Sequence, residues 1–308
     1  MQRYRRQLAD LSLIGVTLVW GATFVVVKRA IADLSPFPFL ALRFGLAFLS
    51  LLPFVWYQRQ HLKKQAILQG LALGIFLFAG YAWQTIGLQY TTASNAGFIT
   101  GMSVVLVPAL VTASTRSLPR PGIILGIASA AIGLALLSLG EGFSLNRGDA
   151  MILLCAFSFA LHIFLVGRYA PGANATVLAA AQILAVTILS TGASLIYPQG
   201  PLQFTPNAWF GLLLTAVPAT SIAFFLQTKM QQFTTPTHTA IIFSSEPVFS
   251  AIFAFFLAGE VLSSRGLVGA ALVLIGMLLA ELSRSESARR SPEKPGKTRL
   301  RLASKRER

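Results

Sequence analysis

Residues 234–260, TTPTHTAIIFSSEPVFSAIFAFFLAGE, decide the fold class, because they are long and apolar enough to span a bilayer as a helix. Ser244, Ser245, Glu246 and Pro247 lie in the middle of this stretch. A carboxylate near the bilayer centre costs roughly 2.5–3.5 kcal/mol on insertion scales, so it normally faces a cavity or a partner. A proline leaves one carbonyl without its helical donor, and a membrane tolerates this only where protein or water satisfies the carbonyl. The stretch therefore predicts a polar path through a membrane.

The composition of the whole chain agrees with this reading. Of its 308 residues, 55% are hydrophobic and only 11% are charged, which indicates a polytopic membrane protein. The net charge of +15 lies in loops and in the tail rather than on one folded face, so we expect no nucleic-acid partner. The single cysteine, Cys155, excludes an intramolecular disulfide and a cysteine-based zinc site. The three histidines lack metal-ligand spacing, and we expect neither a metal nor a cofactor.

Ten apolar segments have about the length that one membrane span needs. They cover residues 11–30, 36–57, 66–89, 93–114, 121–139, 149–167, 174–197, 208–228, 236–257 and 265–282. The first is longer than a secretory signal and is followed by Lys28 and Arg29, so we expect it to be retained. The sequence thus predicts an all-α integral membrane protein with ten transmembrane helices.

Basic residues are distributed unequally between the two sides that these ten spans define. One side carries Arg3, Arg5, Arg6, Arg59, Lys63, Lys64, Arg116, Arg120, Arg168 and Lys229. The other side carries Lys28, Arg29, Arg147 and Arg265. Because basic residues favour the cytoplasmic side, we expect both termini in the cytoplasm and the protein in the cell inner (plasma) membrane.

The two halves of the chain resemble each other. At an offset of 139, Asp10 aligns with Asp149 and Arg43 with Gln182; at an offset of 143, Gln84 aligns with Gln227, Gly126 with Gly269 and Gly133 with Gly276. Five spans per half is an odd number, so the second half must be inverted, as in many transporters. We predict an N-terminus at 1–10, five-helix repeats at 11–145 and 148–283, and a disordered basic cytoplasmic tail at 284–308.

Four stretches carry a family resemblance: EPVFSAIFAFFLAGE, WGATF at 20–24, LALRFGLA around Arg43, and GLQYTTASNAGFI. They resemble the EamA-type branch of the drug/metabolite transporter superfamily, over about residues 8–283. The resemblance implies a secondary transporter that exports small organic metabolites, such as amino acids, or drugs.

Glu246 and Arg43 are the charged candidates for the transport path. Glu246 acts either as a gating or proton-responsive carboxyl or as a hydrogen-bonded tie between helices; its repeat mate is Ser103. Arg43 either holds a substrate carboxylate or phosphate by paired hydrogen bonds or ties helices together, by bonding helix-end carbonyls or Glu246.

Uncharged candidates for binding or gating lie in the other spans. They are Trp20, Tyr81, Trp83, Phe98, Gln84, Gln182, Gln227, Ser245 and His162. The aromatic residues either wall a cavity or fill space, the glutamines either meet a substrate or tie helices together, and His162 either relays protons or is structural.

Other features predict contacts rather than chemistry. Three glycine pairs have the spacing of close helix contacts: Gly70 and Gly74, Gly97 and Gly101, and Gly122 and Gly126. We expect contacts within the chain; the alternative is that they form the interface of a homodimer. The basic tail is expected to bind anionic lipid.

Two other classes of function fit the sequence less well than a transporter. An intramembrane enzyme needs a nucleophile with a base, or a metal cluster, and the chain has no GxSxG or HExxH motif. A receptor or scaffold does not require an internal repeat. No Walker-type motif for ATP hydrolysis is present.

Overall fold

The computed structural model describes residues 2–91, 93–138, 146–197, 200, 202–258 and 263–290. The regular structure of these residues is helical throughout. The α-helices are α1 (Gln2–Asp33), α2 (Pro36–Tyr57), α3 (Lys64–Gly87), α4 (Ala93–Gly101), α5 (Ser103–Thr115), α6 (Pro121–Ser138), α7 (Arg147–Tyr169), α8 (Ala175–Ile196), α9 (Pro206–Ala216), α10 (Ala223–Met230), α11 (Pro236–Phe243), α12 (Glu246–Ala258) and α13 (Ser264–Arg290). Short 3-10 turns occupy Arg59–His61 and Ala170–Gly172, and a π-helical turn occupies Val217–Ile222.

Six helical stretches are long and apolar enough to cross a membrane. They are Tyr4–Asp33, Pro36–Tyr57, Lys64–Gly87, Arg147–Gly172, Ala175–Ile196 and Pro206–Met230. Three shorter apolar helical stretches are Ile99–Thr115, Pro121–Leu136 and Ser264–Leu279. The predicted all-α membrane class is confirmed, whereas the count of ten spans and their inverted arrangement stay predictions.

The first and last helices are longer than the spans predicted for them. α1 begins at Gln2 rather than near residue 11, and α13 continues to Arg290. Residues 284–290 are therefore helical, and their assignment to a disordered tail was wrong. The helix can continue to Arg290 because residues 277–290 contain no glycine or proline. The next proline after α13 begins is Pro292. The rest of the predicted tail, residues 291–308, lies outside the described residues.

Two predicted spans are each broken in the middle. α4 and α5 meet at Met102, and α11 and α12 meet at Ser244 and Ser245. The backbone turns are alike: Met102 N donates to the Ile99 carbonyl at 3.1 Å, and Ser245 N donates to the Ile242 carbonyl at 3.0 Å. Pro247 follows the second break and lies in the first turn of α12, where a helix needs no backbone donor. Positions 102 and 245 differ by 143, which is one of the two repeat offsets.

Hydrogen bonds identify the two ends of the helix bundle. We call the end at which α1 begins the N-terminal face; there His238 Nε2 lies 3.1 Å from Asp10 Oδ1. At the opposite face, Gly200 N donates to Ser35 Oγ at 3.0 Å, which joins two loops distant in sequence.

Glycines allow close helix crossings near the middle of the bundle. A Cβ on Gly74 of α3 would lie 2.7 Å from the Gln182 carbonyl of α8, and one on Gly70 would lie 2.4 Å from Ala181 Cβ. The predicted close contacts at Gly70 and Gly74 are thus confirmed. Gly97 has nothing within 4 Å of such a Cβ, so the contact predicted for it was wrong.

The crossing of α6 and α13 is reciprocal. A Cβ on Gly133 would lie 2.6 Å from the Gly269 carbonyl, and a Cβ on Gly276 would lie 2.5 Å from the Gly126 carbonyl. Each contact is the repeat equivalent of the other at an offset of 143. The same glycines that aligned in the sequence therefore meet in the structure.

We expect Gly21→Val to destabilise the protein by about 1–3 kcal/mol, because an added side chain overpacks a tight crossing. A Cβ on Gly21 of α1 would lie 2.8 Å from Ser250 N in α12. Gly15 on the same helix has nothing within 4 Å and supplies the matched control, Gly15→Val. Thermal unfolding in detergent measures both variants. Equal midpoints for the two would show that α1 does not approach α12 as described.

Candidate functional site: a central cavity

A cavity lies between α1, α2, α3, α7, α10 and both halves of the broken helices α4–α5 and α11–α12. We call it the central cavity. Its walls are formed by Trp20, Thr23, Phe24, Val27, Arg43, Leu77, Tyr81, Gln84, Leu88, Thr100, Gly101, Ser103, Phe159, His162, Ile163, Phe224, Gln227, Phe243 and Glu246. Its volume is about 50 Å³, by a measure in which one water needs roughly 10–15 Å³. The cavity in this conformation therefore holds a few waters or a small group of a solute.

Arg43 is the cation of the central cavity. Its side chain is 3% exposed; Nε donates to Thr220 Oγ1 at 2.9 Å and Nη2 donates to the Tyr81 hydroxyl at 3.3 Å. Cζ also lies 4.7 Å from the centre of the Tyr81 ring, within the range of a cation–π contact. A guanidinium has five N–H donors, and the other three have no partner among the described residues. These donors are available to an anionic group.

Glu246 is the acidic residue of the central cavity. It is the first residue of α12 and is half-buried, and its carboxylate makes no hydrogen bond or ion pair with any described residue. The tie between Arg43 and Glu246 that the sequence left open is therefore not formed. Ser245, directly before it, donates from Oγ to the Ile242 carbonyl at 2.7 Å and lies 3.1 Å from Thr17 Oγ1. These serine contacts fix the start of α12 and leave the Glu246 carboxylate for the cavity.

Two glutamine side chains contribute amide groups to the cavity wall. Gln84 and Gln227 both line the cavity. Gln227 Nε2 donates to Gln231 Oε1 at 3.2 Å, while Gln227 Oε1 is buried and accepts no hydrogen bond from the described residues. An unsatisfied buried acceptor favours a bound donor, so this oxygen is a candidate ligand contact.

Gln182 and His162 form a hydrogen-bonded tie at the edge of the cavity. His162 Nε2 lies 2.6 Å from Gln182 Oε1, and Gln182 Nε2 donates to Thr228 Oγ1 at 3.1 Å. Gln182 thus joins α7, α8 and α10, which is the structural role that the sequence left open. His162 lines the cavity as well, so it takes part in both the tie and the wall.

Aromatic rings form much of the remaining wall. The Trp20 ring centre lies 5.4 Å from Phe224 and 5.1 Å from Phe243, and Tyr81 lies 5.2 Å from Phe159. Trp20 Nε1 donates to the Ala219 carbonyl at 2.8 Å, which satisfies its only polar atom. The rings present an apolar surface that suits a ring or an aliphatic group of a solute.

Most of the lining residues occur in pairs at the repeat offsets. Pairs at an offset of 139 are Trp20 and Phe159, Thr23 and His162, and Phe24 and Ile163; pairs at 143 are Tyr81 and Phe224, Gln84 and Gln227, Thr100 and Phe243, and Ser103 and Glu246. Both members of each pair line the cavity. The cavity thus receives equivalent positions from the two halves of the chain.

The structure brings seven of the eleven predicted site residues to the cavity. They are Trp20, Arg43, Tyr81, Gln84, His162, Gln227 and Glu246. Gln182 and Ser245 lie behind the wall, in the contacts described above. Trp83 is 36% exposed and is not a lining residue. Phe98 lies in α4, but its side chain lies outside the part of the structure that is described.

Sequence reasoning missed Phe159, Phe224 and Phe243 as wall residues. The repeat offered a signal for all three, because they are the equivalents of Trp20, Tyr81 and Thr100. Applying the offsets to the predicted aromatic residues would have found the first two.

Carboxylate side chains form polar ties at both ends of the bundle. At the opposite face, Thr91 Oγ1 donates to Asp149 Oδ1 at 2.5 Å, and Lys28 Nζ donates to the Thr91 carbonyl at 3.1 Å. At the N-terminal face the tie is Asp10 with His238. Asp10 and Asp149 are repeat equivalents, so each half contributes a carboxylate tie to a different face.

Long apolar helices around a charged, aromatic-walled cavity define a multi-pass membrane protein with an internal polar cavity. The sequence model of the EamA-like transporter family matches residues 7–139 and again 146–282, and the chain belongs to that family.

Two of the relatives found for this chain are named as transporters. An uncharacterized transporter of Archaeoglobus fulgidus is 37% identical over 278 residues, covering 90% of this chain and 87% of that protein. The uncharacterized transporter YyaM of Bacillus subtilis is 25% identical over 87% of this chain and 92% of its own length. A solved crystal structure matches with a TM-score of 0.76 at 17% identity, over 90% of this chain and 97% of that chain, and so shares the fold.

We expect Thr220→Val to destabilise the protein by about 1–3 kcal/mol, because it leaves a buried guanidinium donor without its acceptor. Thr187→Val is the matched control, since the Thr187 hydroxyl only donates to the Ile183 carbonyl of its own helix. Thermal unfolding in detergent compares the two variants. An unchanged midpoint for Thr220→Val would show that Arg43 does not depend on this contact.

Proposed function

We propose that the protein is a secondary transporter that exports small organic metabolites, such as amino acids, or drugs, by alternating access. The observation that carries the proposal is the central cavity, in which Arg43 and Glu246 lie unpaired with each other among aromatic rings and amides. A solute that carries an anionic group, a donor or cation, and an apolar part finds a partner for each in this cavity. Export, rather than uptake, is inferred from the resemblance of the sequence motifs to the EamA-type exporters.

The volume of the cavity favours a solute of metabolite size. About 50 Å³ is far smaller than the clefts of roughly 300–1,000 Å³ that hold drug-sized ligands. Transport of any solute therefore requires the helices to separate on one side. The broken helices supply places where such a movement is possible, because their backbone ladders are already interrupted at Met102 and Ser245.

Four features support an inverted repeat as the basis of alternating access. These are the equivalent breaks in α4–α5 and α11–α12, the reciprocal α6–α13 contact, the paired lining residues, and the carboxylate ties at the two faces. The family model also matches each half of the chain separately, at 7–139 and 146–282. In this proposal, one carboxylate tie opens while the other stays closed.

Flux of labelled solutes into and out of vesicles tests the function directly. Vesicles with the purified protein are loaded in turn with amino acids and with cationic dyes, and release is compared with protein-free vesicles. Saturable release of at least one solute supports transport. Turnover of a lipid or peptide without any flux would instead establish an intramembrane enzyme.

We expect Glu246→Gln to flatten the dependence of initial flux on pH while the protein still folds. Glutamine keeps the shape and the hydrogen bonding of the carboxyl but cannot titrate. The matched control is Ser103→Ala, which changes the repeat-equivalent lining position without altering charge. Initial flux against pH, at equal membrane abundance, is the measurement. A wild-type pH profile in Glu246→Gln would assign this carboxyl a packing role.

Arg43→Lys is expected to weaken the apparent affinity for an anionic solute by roughly tenfold or more, because lysine keeps the charge but loses the planar fork. Trp83→Phe, which changes a residue outside the cavity, is expected to leave the affinity unchanged. The measurement is the Michaelis constant for flux of the anionic solute in wild type, Arg43→Lys and Trp83→Phe. Equal constants for wild type and Arg43→Lys would remove the anion-binding role of Arg43.

The topology has its own test. We propose that both termini are cytoplasmic and that the protein lies in the cell inner membrane, since basic residues prefer the cytoplasmic side. Reporter fusions after Ser35 and after Arg308 are therefore expected to report opposite sides of the membrane. The same side for both fusions would contradict the orientation and the inverted repeat together.

A further inference from the structure

A second, larger cleft lies at the N-terminal face, between the beginnings of α3 and α8 and the ends of α7 and α10. Its volume is about 550 Å³ by the same measure as the central cavity. Three cations, Lys63, Arg168 and Lys229, line it together with His61. We call it the basic cleft. The central cavity and the basic cleft have no lining residue in common.

The positive charge of the basic cleft is not neutralised by the protein. No aspartate or glutamate lines it. None of the three cations forms an ion pair with a residue that the structure describes. Lys229 is half-buried, so water screens its charge less than that of a free surface lysine. Like charges gathered around one concave space repel each other and attract an anion into it.

Hydrogen bonds hold the walls of the basic cleft in place. Gln232 Nε2 donates to the carbonyl oxygens of Ala170 and Ala173 at 2.9 and 3.0 Å. Asn174 Nδ2 donates to Gln58 Oε1 at 2.7 Å. These bonds join the end of α10 to the α7–α8 loop, and that loop to the end of α2. Arg168 and Lys229 therefore lie on segments fixed relative to each other, which lowers the cost of ordering them around a ligand.

The uncapped start of α3 adds to the attraction for an anion, whereas the Asn174 side chain already caps the start of α8 by accepting from Thr176 N and Val177 N. α3 begins at Lys64 and α8 begins at Ala175, and residues of both first turns line the cleft. No side chain caps the start of α3, so its first backbone N–H groups lack a side-chain acceptor. The positive ends of both helix dipoles face the same region as the three cations.

We propose that the basic cleft binds the phosphate group of a small phosphorylated polyol, either a soluble one or the glycerol phosphate headgroup of an anionic lipid. The guanidinium fork of Arg168 matches two phosphate oxygens, and the two ammonium groups supply further charge. The volume exceeds what a phosphate alone fills. Gln65 and Gln69 also line the cleft and offer hydrogen bonds to hydroxyl groups.

The general preference of basic residues for one face does not account for the cleft. That preference concerns how many cations lie on a face, and the N-terminal face has others that stay apart. Arg116 and Arg120, between α5 and α6, are exposed, as Lys63 and Arg168 are, but lie outside the cleft. They supply a control pair with the same change in charge as the cleft pair.

Binding is tested on the full chain in phosphatidylcholine nanodiscs at low ionic strength. Glycerol 3-phosphate is titrated by calorimetry into wild type, into Arg168→Gln/Lys229→Gln and into the control Arg116→Gln/Arg120→Gln. In a second arm, the same proteins are purified from membranes containing phosphatidylglycerol, and the retained lipid is counted by native mass spectrometry. Thermal unfolding establishes that each variant is folded. If the cleft-pair variant, Arg168→Gln/Lys229→Gln, does not fold, the variant Lys63→Gln, at an exposed position of the cleft, is measured in its place.

We expect the cleft pair to weaken binding about tenfold or more, since charge-assisted hydrogen bonds to phosphate are strong ones, while the control pair changes it less than twofold. Binding of glycerol 3-phosphate alone assigns the cleft to a soluble ligand, and retention of phosphatidylglycerol alone assigns it to a lipid. The proposal is overturned if the wild type does neither, or if the control pair weakens binding as much as the cleft pair, which would indicate diffuse surface charge.

Discussion

The guanidinium of Arg43 lies in the interior of the helix bundle, and its need for partners fixes the arrangement around the central cavity. An unpaired guanidinium at such a depth is strongly disfavoured, so α2 has to meet groups that accept hydrogen bonds. Thr220 supplies one acceptor and Tyr81 another. The first lies in the π-helical turn and the second in α3, so one side chain positions three segments. The rings that pack on Tyr81 then extend this arrangement to α7 and α10.

The chemistry of the cavity is less symmetric than its geometry. Both halves contribute equivalent positions, yet Arg43 corresponds to Gln182, and Glu246 corresponds to Ser103. Each half therefore carries one charge at a position where the other half carries a neutral polar residue. In the proposed function, this difference would orient a solute, with its anionic group toward α2 and its donor group toward α12. Equivalent positions in the two halves therefore do not imply a symmetric ligand.

The sequence was sufficient for the fold class and for both charged residues of the cavity, because charge inside an apolar span is rare and easily recognised. It did not settle which face of a helix meets the cavity. Tyr81 and Trp83 were both expected there, but residues two apart on an α-helix point roughly 200° away from each other, and only Tyr81 lines the wall. Gln182 was expected there too, yet His162 occupies that part of the wall and takes Gln182 as its partner. A proline marks the break between α11 and α12 in the sequence, but no proline lies next to the break at Met102.

The π-helical turn at Val217–Ile222 changes the direction in which the later side chains of the same span point. Such a turn contains one residue more than the α-helical turn it replaces, and one residue corresponds to about 100° of rotation. Phe224 and Gln227 thus reach the cavity because the chain carries an extra residue just before them. Pro218 lies in this turn, and the wider turn accommodates the missing donor of a proline. Removing one residue from this turn would rotate Phe224 and Gln227 by about 100° away from the positions at which they line the cavity.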